Sequence, residues 1–110
     1  MRVTSQFWVS ALCRRVSGQG AFAAVVRSGS SEAGTIFVIT TKLDGFSSLW
    51  GPAPQSFYDD EQRGTRQFEV LLLDVEDGEI SSRIESEARF DSDIWVVEIE
   101  DKMGRDFLSL

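Results

Sequence analysis

The sequence predicts an α+β domain in which a small antiparallel sheet of four to five strands carries two helices on one face. The predicted strands arrive in a run rather than alternating with helices. Two segments space their apolar residues as helices do. The length of 110 residues and the hydrophobic fraction of 42% suit one globular domain. The predicted order is α-β-β-β-(β)-α-β within a single domain of residues 1–110, with a loosely held tail near 101–110.

The first helix is predicted over residues 5–17. Thr4 can cap its start through the side-chain hydroxyl. Gly18 and Gly20 are typical of the end of a helix. The apolar residues recur at spacings of three and four, at Phe7, Trp8, Ala11, Leu12 and Val16.

Three strands are predicted next. Residues 21–27 are apolar almost throughout and flanked by glycine, which favours a buried strand over a short helix. Residues 35–41 are β-branched at almost every position. An Asp-Gly turn at 43–45 accepts positive φ, so residues 46–50 return as the third strand. Strands in succession predict an antiparallel β-meander.

The last elements are less uniform. Residues 67–73 fit either a strand or the opening turn of a helix, and the strand is favoured. Asp77 is predicted to cap the second helix. The inward face of that helix is predicted at residues spaced by four, namely Ile80, Ile84 and Ala88. Residues 94–100 alternate towards their end, which predicts a half-buried strand.

Both prolines fall within residues 51–55, between aromatic residues. Proline fixes φ and removes a backbone donor, and the residue before it is pushed to extended geometry. A stiff arm over residues 50–60 is therefore predicted, either as a binding surface or as a loop that covers a sheet edge. The candidate binding residues on this arm are Trp50, Pro52, Pro54, Gln55 and Tyr58.

The charge is divided unevenly along the chain. The net charge is -7, with +3 over residues 1–55 and -10 over residues 56–110. An acidic chain is a poor ligand for nucleic acid, because phosphate binding draws on clustered Lys and Arg. The ordinary interpretation is a solvated acidic surface. The alternative is a polar surface for a partner, with Arg14, Arg15 and Arg27 as charged contacts.

Several chemistries are excluded by composition. The chain has no histidine and one cysteine, so Ser-His-Asp, Cys-His and zinc sites of the usual kinds cannot form within it. The sequence also lacks a Gly-rich phosphate loop. These absences favour a protein that is not an enzyme, and they predict neither a cofactor nor a metal.

Carboxylates offer the one alternative chemistry. Glu98 and Glu100 share a predicted strand face roughly 7 Å apart. With Glu69 on a neighbouring strand they could bind a metal or act as acid and base. A simple solvated face is the favoured interpretation of these residues. The same holds for the acidic run at residues 59–61, which is predicted to be an exposed loop.

The single cysteine and the lack of targeting segments indicate the cytoplasm. Cys13 cannot form an intrachain disulfide. No apolar run approaches the ~20 residues that a membrane helix needs, and the N-terminus lacks a signal-peptide pattern. Cys13 is expected to be a buried small apolar residue. The alternative is a thiolate favoured by Arg14 and Arg15.

Four runs of the sequence are distinctive, namely Phe-Trp-Val-Ser-Ala-Leu at 7–12, Gly-Ala-Phe-Ala-Ala-Val-Val-Arg at 20–27, Gly-Pro-Ala-Pro-Gln at 51–55 and the fourteen residues 87–100. Together they resemble an uncharacterised family of short alphaproteobacterial proteins, the domain of unknown function fourteen-ninety-one. The resemblance spans most of the chain. It implies a stand-alone cytoplasmic bacterial protein and transfers no catalytic or binding residues.

The favoured interpretation is therefore a non-catalytic cytoplasmic binding or adaptor protein that uses the arm 50–60. Its partner would be another protein or a second copy, because an exposed sheet edge pairs readily with its own copy. Neither nucleic acid nor a membrane is expected as a partner. The alternative is a small carboxylate-based metal-binding protein or enzyme that uses Glu69, Glu98 and Glu100.

Overall fold

The computed structural model describes residues 3–54 and 66–108. These residues form two helices and five strands. In chain order they are α1 (Ser5–Gly18), β1 (Phe22–Arg27), β2 (Thr35–Thr41), β3 (Phe46–Pro52), β4 (Phe68–Glu76), α2 (Asp77–Phe90) and β5 (Ile94–Glu100). The α+β class and the predicted order are confirmed. The ambiguous fourth element is a strand.

The five strands form one mixed sheet in the order β1-β5-β2-β3-β4. Strands β2, β3 and β4 are consecutive antiparallel neighbours, as the meander predicts. Strand β5, however, inserts between β1 and β2 and runs parallel to β2. The prediction of a wholly antiparallel sheet is therefore wrong for this pair. The first four residues of β5 are all buried, so the strand requires cover on both faces and lies inside the sheet.

The two helices lie on opposite faces of the sheet, which corrects the prediction that both pack on one face. Ile36 and Val38 of β2 pack in one cluster with Leu12 of α1. Phe37, between them, packs in a second cluster with Ile80 of α2. Side chains alternate between the faces of a strand. Because β2 is apolar on both faces, each face needs its own helix.

The two helices begin differently, although each has 14 residues. The Thr4 hydroxyl accepts a hydrogen bond from the Phe7 N–H, which confirms the predicted cap. In α2 the N-cap residue is Glu76, and no side-chain cap bond forms. The predicted cap Asp77 instead accepts a 2.6 Å hydrogen bond from the Ser47 hydroxyl, which fixes α2 to β3. Neither helix in the described ranges is long and apolar enough to cross a membrane.

Residues 101–108, here called the C-terminal segment, pack beside the end of α1. The Asp101 N–H donates to the Thr41 carbonyl at 3.0 Å. The Arg15 guanidinium donates to the Phe107 carbonyl at 2.6 Å. Phe107 itself is buried in the cluster under α1. These contacts bring the segment alongside β3 and β4, where it forms one wall of a cleft.

Candidate binding cleft

An open cleft of about 420 Å³ lies between the sheet and the C-terminal segment. One side is formed by β3 and β4, and the other by Met103 to Asp106. The side chains that line it include Lys42, Phe46, Trp50, Leu73, Asp74 and Met103. The described residues thus bring Trp50, a predicted site residue, together with residues that the sequence did not single out.

Trp50 is held in a fixed orientation within β3. It lies opposite Val38 of β2 and Val70 of β4. Its indole N–H donates to the Thr40 hydroxyl at 3.1 Å. The half-buried ring packs against the α1 cluster and lines the cleft. Since its polar atom is already satisfied, the exposed part of the ring offers an apolar contact surface.

Three large apolar side chains border the cleft and remain exposed to solvent. Phe46, Leu73 and Met103 are 43%, 69% and 76% exposed. They come from β3, β4 and the C-terminal segment, so only the tertiary structure assembles them. Sequence reasoning missed all three. Met103 lies in the tail predicted to be loosely held, and no local pattern in that tail indicates a site.

An internal ion pair shapes the C-terminal wall of the cleft. The Arg105 guanidinium lies 2.7 Å from the Asp101 carboxylate and also donates to the Gln19 carbonyl at 3.1 Å. The hydrogen bond from the Arg105 side chain lowers the pKa of Asp101, and the same bond raises the pKa of Arg105. The Arg105 guanidinium stacks 4.9 Å from the centre of the Phe107 ring. These contacts hold the C-terminal wall of the cleft in place without a bound partner.

The backbone around the cleft is strained. In the described ranges, three residues other than glycine have positive φ: Leu43 at 66°, Asp74 at 52° and Phe107 at 62°. Asp74 lines the cleft, and the other two directly follow residues that line it. Each such residue costs about 1–3 kcal/mol, and strained residues cluster at functional sites. The Asp74 N–H donates to the Ser48 hydroxyl at 2.9 Å, which helps to hold this geometry.

The proline arm does not form a separate surface in its described part. Pro52 is the last residue of β3 and pairs with Phe68, and the Ala53 N–H donates to the Gln67 carbonyl at 2.9 Å. Residues 50–53 therefore continue the sheet. Pro52 lines a second cavity, of about 310 Å³, beside α2 rather than the Trp50 cleft. Pro54 is exposed. The predicted residues Gln55 and Tyr58 and the acidic run 59–61 lie outside the described residues.

The three predicted arginines do not share one patch. Arg14 is exposed on α1. Arg15, its neighbour, holds the C-terminal segment through the Phe107 carbonyl. The Arg27 guanidinium donates to the Ser92 carbonyl at 2.9 Å, at the end of β1 remote from the C-terminal segment. Of the three, Arg15 has a direct connection to the wall of the cleft.

The predicted carboxylate group is divided by the sheet order. Glu98 and Glu100 lie together on β5, and burial, followed by the charge of Glu100, raises the pKa of Glu98. Glu69 lies on β4, which β2 and β3 separate from β5. The prediction that Glu69 lies on a neighbouring strand is therefore wrong. In residues 3–54 and 66–108, no group of three or more acidic or cysteine side chains is placed to hold a metal ion.

Cys13 is half-buried on α1 and packs against the α1 cluster. Burial raises the pKa of its thiol. A raised pKa disfavours the thiolate, which is the reactive form. The position therefore fits the predicted small apolar residue better than a nucleophile.

The chain is thus a small α+β domain with an open cleft that polar and apolar side chains line together. Residues 3–109 match a family model described as "Protein of unknown function (DUF1491)", and the chain belongs to this family. It is 52% identical to a protein from A. tumefaciens solved in solution, with a TM-score of 0.85 over 100% of this chain and 95% of that one. The resemblance inferred from the four sequence runs is thereby confirmed.

Two structures of DUF1491 family proteins from Caulobacter crescentus CB15 are also similar. The crystal structure shares 34% identity and a TM-score of 0.81, covering 99% of this chain and 95% of that one. The NMR structure shares 35% identity and a TM-score of 0.78, covering 99% and 94%. No curated protein matches the chain. These comparisons establish the family and its alphaproteobacterial homologues.

Proposed function

We propose that this chain is a non-catalytic binding or adaptor protein whose Trp50 cleft takes a large apolar side chain from a protein partner. The observation that carries the proposal is the convergence of Phe46, Leu73 and Met103 around a cleft lined by Trp50. Exposed apolar residues on a monomer are ordinarily scattered singly, and a contiguous patch marks an interaction site. Aromatic residues and Met are enriched in protein interfaces.

The size and rigidity of the cleft support the same function. Its volume of about 420 Å³ falls within the ~300–1,000 Å³ of ordinary ligand sites. The indole of Trp50 is oriented by Thr40, and the opposite wall is braced by the pair Asp101–Arg105. A site that is ordered before binding loses less conformational entropy on association. Lys42 and Asp74 at the border supply charges that can select a partner.

The proposed site includes Trp50, which belongs to the predicted arm. Its centre is the cleft and not the two prolines. The strand position of residues 50–53 favours the cleft over a free-standing arm. We place the protein in the cytoplasm, since it carries one cysteine and proteins of oxidising compartments favour paired cysteines.

The test compares matched surface variants. Trp50→Ala is a poor probe, because the half-buried ring also supports the α1 cluster. The double variant Leu73→Ser with Met103→Ser removes exposed apolar surface from the cleft with little effect on stability. Phe90→Ser is the matched control, since Phe90 is 92% exposed and lines the second cavity instead.

The probe is a random peptide library displayed on phage, followed by titration of an enriched peptide into ¹⁵N-labelled protein. We expect peptides with a large apolar residue to shift the indole N–H signal of Trp50. The double cleft variant should lose at least about tenfold in affinity, which is the effect of about 1.4 kcal/mol, and Phe90→Ser should bind normally. Equal binding by both variants, or shifts confined to residues around Phe90, would contradict the proposal.

A further inference from the structure

The outer strand β1 presents an apolar, uncharged edge. Its residues 22–26 carry no charge, and Phe22 and Val26 are 57% and 60% exposed. In the described chain β1 pairs with one strand only, β5. Among residues 3–54 and 66–108, no strand pairs with the backbone groups on its other side, and such groups can pair with another strand.

The usual protections of a sheet edge are weak here. Natural edges carry lysines, prolines, inward charges or bulges that prevent pairing. Strand β1 has one register shift, between Val25 and Arg27, at its very end. Helix α2 packs over β3 and β4, so it does not cover Phe22 on β1. A neutral strand of this kind is a template for strand addition.

We propose that β1 pairs with β1 of a second copy to form an antiparallel, two-fold symmetric dimer. A two-fold axis at Ala24 places Ala23 of one protomer opposite Val25 of the other and brings Phe22 to the level of Val26, where the pairing of β1 with β5 shifts register. Each of these cross-strand pairs is apolar. Apolar and β-branched cross-strand pairs stabilise a sheet, whereas like charges directly opposite destabilise it.

Charge at the strand ends favours the same arrangement. Arg27 ends β1, and Glu100 lies across β5 from Phe22 at the other end. The two-fold axis brings Arg27 of each protomer to the end of the strand where Glu100 of the other lies. Their backbones are then about two strand spacings apart, roughly 10 Å, which two long side chains can span. The arrangement therefore brings opposite charges near each other at both ends of the interface, where the Arg27 guanidinium also donates to the Ser92 carbonyl of its own chain.

The alternative edge, β4, is a poor candidate for self-pairing. It carries Glu69, Asp74 and Glu76, so self-pairing would bring acidic side chains of the two copies close together. Two register shifts also interrupt its pairing with β3. A dimer through β1 leaves β4 and the Trp50 cleft free. If the proposed function holds, the dimer presents two clefts, and a partner with two binding segments gains avidity.

The test is sedimentation equilibrium of the full chain from micromolar to millimolar concentration. A six-residue strand edge is smaller than a standard interface of about 1,200–2,000 Å², so we expect a dimer with a micromolar Kd. The variant pair is Phe22→Lys with Val26→Lys in one protein, and Phe22→Glu with Val26→Glu in a second. Each alone places like charges across the axis and should self-associate at least about a hundredfold more weakly.

Mixing the two charge variants should restore a one-to-one complex, because Lys then faces Glu. This rescue also shows that both variants fold, which circular dichroism of each confirms. The control Leu73→Lys places a charge on β4 and should leave the dimer intact. A natural chain that is monomeric at millimolar concentration would overturn the proposal. A mixture of the two charge variants that fails to associate would also overturn it. The same holds if Leu73→Lys breaks the dimer while the double lysine variant leaves the dimer intact.

Discussion

The two edges of the sheet differ in charge, regularity and surroundings. Strand β1 is uncharged until its last residue, and it has a single register shift at one end. Strand β4 carries three acidic residues over nine positions and is shifted twice against β3. The cleft lies beside β4, and β1 faces away from it.

The comparison indicates that the two edges differ in how readily they can pair with another strand. Acidic side chains and bulges such as those of β4 are features that protect natural sheet edges from adding a strand. The β1 edge is uncharged over residues 22–26 and has one register shift, at its end. The uneven charge along the sequence thus has a structural counterpart, since the acidic second half contributes β4 and the first half contributes β1.

The largest expected effect comes from removing the charges of β4. The triple variant Glu69→Gln, Asp74→Asn and Glu76→Gln keeps the side-chain sizes, and Asn tolerates the positive φ of Asp74. If β1 pairs as proposed, a neutral β4 should pair in the same way, so the protein should form assemblies larger than a dimer. Light scattering against concentration measures this. An unchanged mass would show that the bulges alone protect β4.

The second largest effect is expected from a change in the close packing between β3 and β4. A Cβ at Gly51 would lie 2.8 Å from Leu71 Cδ1 and 3.2 Å from the Phe37 ring. Gly51→Ala should therefore lower the free energy of unfolding by about 1–3 kcal/mol, as overpacking does. Urea denaturation measures the change. Gly18→Ala is the control, because nothing lies within 4 Å of its Cβ position. Equal effects of the two changes would contradict the close contact at Gly51.

A smaller effect is expected at the wall of the cleft. The bond from Arg105 lowers the pKa of Asp101, so the ionised carboxylate stabilises the fold at neutral pH. That contribution is fully present above the ordinary Asp pKa of about 3.9 and is lost as pH falls through the folded value. Asp101→Asn should lower Tm at pH 7, and its difference from the natural chain should narrow in acid. A Tm difference that stays constant with pH would show that the effect does not come from the ionised carboxylate of Asp101.

The smallest effect concerns Glu98, which pairs with Ala24 of β1. Burial and Glu100 raise its pKa, so its ionised form is disfavoured in the folded state. The folded protein therefore gains stability as pH falls through the folded pKa. Glu98→Gln should raise stability slightly at pH 7, by up to about 0.5 kcal/mol, and the gain should disappear in acid. Thermal unfolding at several pH values measures it, with Glu69→Gln on β4 as the control. A loss of stability at pH 7 would contradict this account.

Local pattern was sufficient for α1, for β2 and for the turn that follows β2, whereas it left residues 67–73 open between strand and helix. Thr4 and the three-four spacing fixed α1, and the β-branched run fixed β2 with the bounds observed. The Asp-Gly turn is confirmed by the positive φ of Gly45. These features depend on residues within a few positions of one another. The prediction that Asp77 caps α2 is wrong for the same reason, because its hydrogen-bond partner Ser47 lies 30 positions away in the sequence.

The sequence by itself determined the class, the order of the elements and the family, because hydrophobic period, turn residues and sequence runs are local properties. Only the tertiary structure decided that β5 lies between β1 and β2, that the helices cover opposite faces, and that Glu69 is remote from Glu98. It also decided the cleft, where Phe46, Leu73 and Met103 meet. Strand order is settled by which faces can be buried together, and that depends on the whole chain at once.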